Sequence, residues 1–390
     1  MKLGRRSENK ALPKYSLTGD LLSYMRCGLQ YRFHNGSALP PSRPVQFWFG
    51  DFIHGMLETA FRIWRENPAL GFPWPMNISN PREAYEGVRA RNDLGLIGET
   101  IEAILRAQGK SPRSAEVRDN GYKRAYCAVN EIGPILFPMI KSAEEKLIGT
   151  RSVDEPIDAT ERRATLYELH GIVDVLTEVT LSEANESNFL KRLIVDKLGA
   201  QTGSFEIIVD YKGARRPPLD SPYWAQGDWQ VQTYAWLRSQ QRNSRKVLAG
   251  VLVYVNELLP SSEDIENLKS EIASGRADVI PPIGSADDYQ IRLSGPGSAT
   301  PALSLEYRLN RAFRVIPITA ASQDFSLTQF DSTVSEIEEC VANEERSGTI
   351  ASNWKANGNV DSCETCDFRF FCPDPYPRGR HTIVKAPDAP

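Results

Sequence analysis

The stretch "FEIIVDYKG", residues 205–213, decides how the chain is read. Ile207, Ile208 and Val209 form a short apolar run of β-branched residues, the pattern of a buried strand. The run then gives way to Asp210 and Lys212, two residues apart and therefore on one face of the strand. Charged side chains at a strand end often do no more than reach solvent. The pair acquires chemical meaning only if other parts of the chain supply partners for it.

One partner lies upstream. "GIVDVL", residues 171–176, places Asp174 inside a second strand pattern rich in β-branched residues. A carboxylate in such an apolar run is costly unless it is paired or bound to a metal. From adjacent strands, Asp174 and Asp210 could share a divalent cation, because Mg²⁺ takes carboxylate and carbonyl oxygens readily. Lys212 would then stand beside the ion. An ion and an ammonium together can stabilise a pentacoordinate phosphate and position an attacking water.

The rest of the chain sorts by period. Residues 17–33 read as a helix capped by Thr18 or Asp20, and the Pro-rich 39–45 ends it. "VQFWFGDFIHGMLETAFRIW" reads as a second helix with a wide apolar stripe, and His54 lies within it. Residues 66–160 begin in a Pro/Gly-rich loop and continue with helical segments. Strand patterns follow at "ATLYELHGIVDVLTEV", in the opening stretch and at "RKVLAGVLVYVNE", with "YWAQGDWQVQTYAWLRSQQ" as the helix between the last two. Residues 262–275 read as helix. Residues 276–320 carry β-type runs such as "ALSLEYRL" and "FRVIPIT". "DSTVSEIEECVANEERSG" is the last helix.

The composition is that of a globular protein of two or three domains, or of one core with insertions: 390 residues, 41% hydrophobic and 25% charged. Forty-six Lys+Arg against 50 Asp+Glu give a net charge of −4, so no global basic field announces nucleic acid. Any phosphate-binding surface must be local. The N-terminus is charged and lacks an apolar h-region, and no apolar run is long enough to span a bilayer. These features predict a cytoplasmic protein with no membrane partner. The six cysteines are then expected to be reduced or metal-bound.

Three of those cysteines, Cys363, Cys366 and Cys372, form the cluster C-x2-C-x5-C in "CETCDFRFFC". Thiolates at that spacing can wrap one metal centre, zinc or iron–sulfur. A cubane iron–sulfur cluster needs a fourth thiolate. The spacing leaves Cys27, Cys127 and Cys340 all open for that place.

Taken in order, these residues resemble the RecB-like branch of the PD-(D/E)XK nucleases. Within it they look closest to the iron–sulfur members: the AddB nuclease domain and the RecB-like exonucleases associated with CRISPR spacer acquisition. The resemblance rests on Cys27 in "SYMRCGLQYRF", His54 in "GDFIHGMLE", Gly171 and Asp174 in "GIVD", and Asp210 and Lys212 in "VDYKG". Gln230 and Tyr234 in "QVQTY" and the three C-terminal cysteines complete it. It spans most of the chain, although residues 66–160 and 262–330 match nothing in the family pattern. The second acidic position is Asp210, where the CRISPR-associated members commonly carry Glu. No G-x-x-x-x-G-K-[ST] occurs, so an AddB-type ATPase is not expected.

The resemblance implies an α/β fold, a PD-(D/E)XK core with a mixed central sheet flanked by helices. Residues 1–65 would hold the first cluster cysteine and the metal-binding His54. A helical insertion would fill 66–160, the nuclease core 161–261 and a β-containing insertion 262–330. Residues 331–390 would carry the last helix, the iron–sulfur cysteines and the tail. It further implies that His54, Asp174, Asp210 and the Tyr211 carbonyl bind Mg²⁺ or Mn²⁺. Lys212 would be the catalytic lysine, with Gln230 and Tyr234 on one helix face toward the site and the DNA. Cys27, Cys363, Cys366 and Cys372 would hold a [4Fe-4S] cluster. The implied activity is that of a DNA exonuclease on single-stranded ends, in DNA repair, CRISPR adaptation or anti-phage defence, with a helicase or defence partner in trans. The rival readings are a DNA-binding scaffold subunit with a vestigial site and a zinc-stabilised binding module.

Other residues read less sharply. His170 reads as a strand residue, not a ligand, and Cys127 and Cys340 as packed small side chains. Trp229 and Trp236 read as core. Arg215 and Arg216 either touch phosphate or form a solvated turn.

Overall fold

Both faces of the opening strand are covered. In the computed structural model Ile207, Val209 and Tyr211 belong to one hydrophobic cluster and Ile208 to another on the opposite face. That explains the unbroken apolar run, because a strand buried on both sides need not alternate. The structure describes residues 12–36, 46–77, 90–140, 142–152, 164–295, 300–356, 363, 366–369, 372 and 373. The Pro-rich breaker at 39–45 and the C-terminal tail lie outside these.

The described elements run β1 (Lys14–Ser16), α1 (Leu22–Arg26), α2 (Gly28–Gly36), α3 (Gln46–Glu66), α4 (Leu94–Ala107), α5 (Ala115–Cys127), α6 (Gly133–Leu136), β2 (Ser142–Ser152) and β3 (Leu166–Thr180). They continue through α7 (Phe189–Leu198), β4 (Ser204–Lys212), α8 (Pro222–Ser239), β5 (Val247–Tyr254), α9 (Ser262–Ala273), α10 (Ala286–Leu293), α11 (Leu305–Ala312), β6 (Phe313–Pro317) and α12 (Ala320–Ser347). The strands form one mixed sheet. β3 carries β2 antiparallel along one side. Its other side is shared, first by β1 in parallel and then by β4 antiparallel. β5 is parallel to β4, and β6 closes the order antiparallel to β5. The parallel step from β4 to β5 requires a crossover, and α8 supplies it.

Helix α3 covers one face of the sheet through Phe49, Phe52, Ile53, Met56, Leu57, Ala60 and Phe61, all buried. Helices α8 and α12 cover the other. Helix α8 approaches β5 so closely that a Cβ on Gly250 would stand 2.4 Å from Val231 Cβ. Helix α12 is capped by Thr319 and ends at Gly348, whose φ of 69° lies in the left-handed region. Among the described residues no helix is long and apolar enough to cross a membrane.

Three sequence expectations differ from the structure. The N-terminal helical stretch is capped by Ser16, not by Thr18 or Asp20, and it breaks at Cys27. The segment Ser142–Ser152, expected as the tail of a helical insertion, is instead a sheet strand paired along most of β3. Its Ala-Glu-Glu-Lys start favours helix, but the long partner overrides that propensity. The "ALSLEYRL" run, expected as β, holds helix α11, whose start Ser304 caps by accepting from the Tyr307 amide. The described residues of 262–312 are thus helical wherever they are regular, with a small core of Ile265, Leu268, Ala277, Ile291 and Tyr307.

The contact between Gly250 and Val231 gives a test. Gly250→Ala should destabilise the protein by ~1–3 kcal/mol, as overpacking of a tight core does, read as a lower urea midpoint. An unchanged midpoint would mean that α8 and β5 are less closely seated.

Candidate active site

Strand β3 changes character at Asp174. Before it, Tyr167, Leu169 and Val173 pack with the α8-side cluster. After it, Val175 and Val179 pack with the α3-side cluster. Residues two apart on a regular strand share a face, so the strand exchanges its faces across Asp174. The neighbouring edge also changes here. β1 makes its last pair at His170, and β4 makes its first at Val175. Asp174 therefore sits in a notch between two strands.

The Tyr211 amide donates into that notch, to Asp174 Oδ2 at 2.8 Å. His54 reaches it from α3. Its Nε2 lies 2.9 Å from the Tyr211 carbonyl oxygen and its Nδ1 3.3 Å from Asp174 Oδ1. Both ring nitrogens face acceptors, which the doubly protonated imidazolium satisfies. Burial opposes that charge, but Asp174, Asp210 and the Tyr211 carbonyl outweigh it and push His54 up to about 9.

The α8 side holds the second group. Gln230 Nε2 donates to Asp210 Oδ1 at 2.9 Å and to the Tyr234 hydroxyl at 3.1 Å. Lys212 Nζ donates to Gln230 Oε1 and lies 2.6 Å from Asp210 Oδ2. Burial raises the Asp210 carboxyl; Lys212 pulls against this and Asp174 adds to it. Burial, then Asp210, raises the Tyr234 phenol. The Tyr234 ring lies over Gly171, where a Cβ would stand 2.6 Å from Cε1. The fold thus brings His54, Asp174, Asp210, Tyr211, Lys212, Gln230 and Tyr234 together.

One residue that sequence reasoning passed over belongs here. Glu58 lines a pocket with His54, Leu57, Phe61, Ile140, Asp174, Val175 and Tyr211. Its signal was present, since His54 and Glu58 stand at i and i+4 on one helix face.

Among the described residues no group of three or more His, Cys, Asp or Glu side chains stands positioned to hold a metal ion. The chemistry of the donors nevertheless fits a hard cation: two carboxylates, an imidazole and a carbonyl oxygen. Asp210 Oδ2 is buried and accepts no directed hydrogen bond.

The cysteines gather at the chain ends. Cys27 is buried, and its Sγ faces the Lys355 carbonyl at 4.0 Å. The Leu29 amide donates to that same carbonyl at 2.9 Å. Phe368 packs on Phe33 and His34, with ring centroids 4.8 and 5.1 Å apart. Burial pushes the Cys366 thiol up; the Phe368 amide works against this, while Cys27 and Cys363 add to it. Cys372 packs against the same cluster as Cys27. Cys340 packs against that cluster too, with its Sγ 3.7 Å from the Tyr24 hydroxyl, and Cys127 packs in the α3-side core.

Arg215 and Arg216 do not form the solvated turn that was one of the two expectations for them. Arg215 pairs with Glu271. Arg216 is buried, pairs with Asp278, and donates to the carbonyls of Arg311 at 3.0 Å and Phe313 at 2.8 Å. The two arginines fasten the helical segment 262–312 to the sheet. Trp229 is buried and donates to the Ser326 carbonyl at 2.8 Å, and Trp236 lies under the Arg151 guanidinium. His170 lies on β3, opposite Ser16 and Ile148.

The seat of Tyr234 is testable without any assay of activity. Gly171→Ala should displace the ring and cost ~1–3 kcal/mol. Shortening the clashing partner as well, in Gly171→Ala/Tyr234→Leu, should recover part of that loss in urea unfolding. A double variant that loses the sum of the two single effects would show that the residues do not touch.

No curated protein matches the chain. Residues 192–373, which carry Asp210, Lys212, Gln230, Tyr234 and the C-terminal cysteines, match the family model of the PD-(D/E)XK nuclease superfamily.

Proposed function

We propose that this protein is a metal-dependent deoxyribonuclease of the RecB-like type, acting as an exonuclease on single-stranded DNA ends. The observation that carries the reading is the convergence of Asp174, Asp210 and Lys212 with His54 and the Tyr211 carbonyl at one notch in the sheet. The superfamily match supports it, because members are phosphodiester hydrolases that use divalent metals such as Mg²⁺.

His54, Asp174, Asp210 and the Tyr211 carbonyl would hold Mg²⁺ or Mn²⁺. Bound there, a divalent cation would offset phosphate charge and make water a better nucleophile. Lys212 sets an ammonium beside Asp210, where it can orient a water and stabilise charge developing on a phosphate. Gln230 holds both Lys212 and Asp210, and Tyr234 holds Gln230. These two act as positioning residues. The setting we favour is DNA repair, CRISPR adaptation or anti-phage defence, with a helicase or defence protein in trans.

Lys212→Ala should lower metal-dependent cleavage of end-labelled single strands by about 10²–10³-fold, the scale for losing one donor to a developing charge. The fold should survive, as read by circular dichroism. Cleavage at the wild-type rate would refute the assignment.

The same reading places a [4Fe-4S] cluster on Cys27, Cys363, Cys366 and Cys372, where it would staple α2 to the C-terminal segment. Anaerobically purified protein should be brown, with on the order of four irons per chain. Cys27→Ser should bleach it and Cys340→Ser should not. The reverse pattern would make Cys340 the fourth ligand, and zinc in place of iron would favour a structural zinc centre.

A further inference from the structure

The hairpin of β2 and β3 carries aliphatic side chains on both faces. One face is core: Leu147, Tyr167, Leu169 and Val173 are fully buried. The other meets solvent, yet Leu166 is 41% exposed, Ile148 41% and Ile172 58%. A half-buried antiparallel ribbon normally turns polar residues outward. Ile148 and Ile172, one same-face pair step apart, put exposed apolar surface where such a ribbon normally carries polar side chains.

Their register places them on a line. Ile172 is paired with the exposed Lys146, Ile148 with His170, and Leu166 with Ser152. Glu168, on the same outer face, is held by Lys14 at 3.1 Å. The line ends at the notch, for Asp174 follows Ile172 by two residues, about 7 Å along the strand. The surface is therefore continuous with the candidate active site.

Resting on the nuclease reading, we infer that this outer ribbon face is the track along which a single DNA strand approaches Asp174. The chemistry favours an unpaired strand over a duplex. Unpaired bases present flat apolar faces that Ile172 and Ile148 can cover, and the phosphates between them can meet Lys146. A duplex keeps those base faces stacked inside and would leave the aliphatics against water. The contact reads no base edge, so it carries no sequence preference.

Two substrates separate the track from the chemistry. The first is a labelled oligothymidylate, whose binding is followed by fluorescence anisotropy in EDTA, so that no cleavage intervenes. The second is bis(p-nitrophenyl) phosphate with Mn²⁺, an ester too small to reach from the notch to Ile148. Ile148→Glu/Ile172→Glu should weaken oligothymidylate binding about tenfold, equivalent to ~1.4 kcal/mol. Hydrolysis of the ester should be unchanged. Ile172→Tyr, which offers a larger flat face, should bind at least as tightly as wild type. Unchanged strand affinity in the double glutamate variant overturns the track. So does loss of ester hydrolysis together with binding, since a ribbon that acts only on the strand leaves the ester alone. If strand affinity is unchanged but a wild-type dimer falls apart in sedimentation, the face is a protein interface and the track is likewise overturned. A wild-type protein that binds the strand but hydrolyses neither substrate refutes the nuclease reading, while the comparison of affinities still decides the track.

Discussion

The hydrogen bond from the Tyr211 amide to Asp174 is the constraint around which the site is built. An aspartate within an apolar strand costs several kcal/mol unless its charge is met (roughly 2–7 for polar groups). Here it is met because β1 is only three residues long. A longer β1 would continue its ladder along Gly171–Asp174 and close the gap. Its short length leaves β3 free to exchange faces and leaves the amide and carbonyl of Tyr211 without ladder partners on that side. The amide turns to Asp174, and the carbonyl is met by His54. A missing piece of strand thus creates the site.

That arrangement requires β1 to stay where it is, and α12 holds it. Glu338 accepts from the Tyr15 hydroxyl, and Asp331 accepts from Tyr167 at 2.6 Å and from Arg151. Farther along, Glu344 takes a two-pronged contact from Arg32 at 2.6 Å and a bond from Trp354 Nε1 at 2.7 Å. Buried ion pairs of this sort add little net stability over apolar packing, but they tolerate one geometry only. Their effect is to fix the N-terminal elements on the C-terminal helix. The same clamp brings Cys27 to the Lys355 carbonyl and so toward the C-terminal cysteines.

Much of this was legible in the sequence where one periodicity governed a whole segment. The strands around Asp174 and Asp210, the helix carrying Gln230 and Tyr234, and the stripe on α3 all declare themselves by spacing. Ser142–Ser152 does not, because its Ala-Glu-Glu-Lys start favours helix and only its pairing with β3 makes it a strand. Arg215 and Arg216 mislead for a related reason. Two arginines followed by two prolines look like a surface turn until the segment 262–312 folds back, pairs with Arg215 and buries Arg216. The face exchange at Asp174 is also silent in sequence, since "GIVDVL" would serve equally well in a regular strand. Glu58 was readable and was passed over.

The two sides of β4 carry two charge systems that balance each other. On the α3 side the Asp174 carboxylate faces a His54 held in its charged form; on the α8 side the Asp210 carboxylate faces Lys212. Each carboxylate thus has its own cationic neighbour, which offsets part of the cost of burying it. On the nuclease reading, His54 would serve as a ligand only in its neutral form and so would give up a proton to the solvent. With such an ion held by both carboxylates, Lys212 would be relieved of Asp210 and its ammonium could face substrate. Gln230 already holds Lys212, and that hold would then keep the ammonium at the notch rather than in solvent.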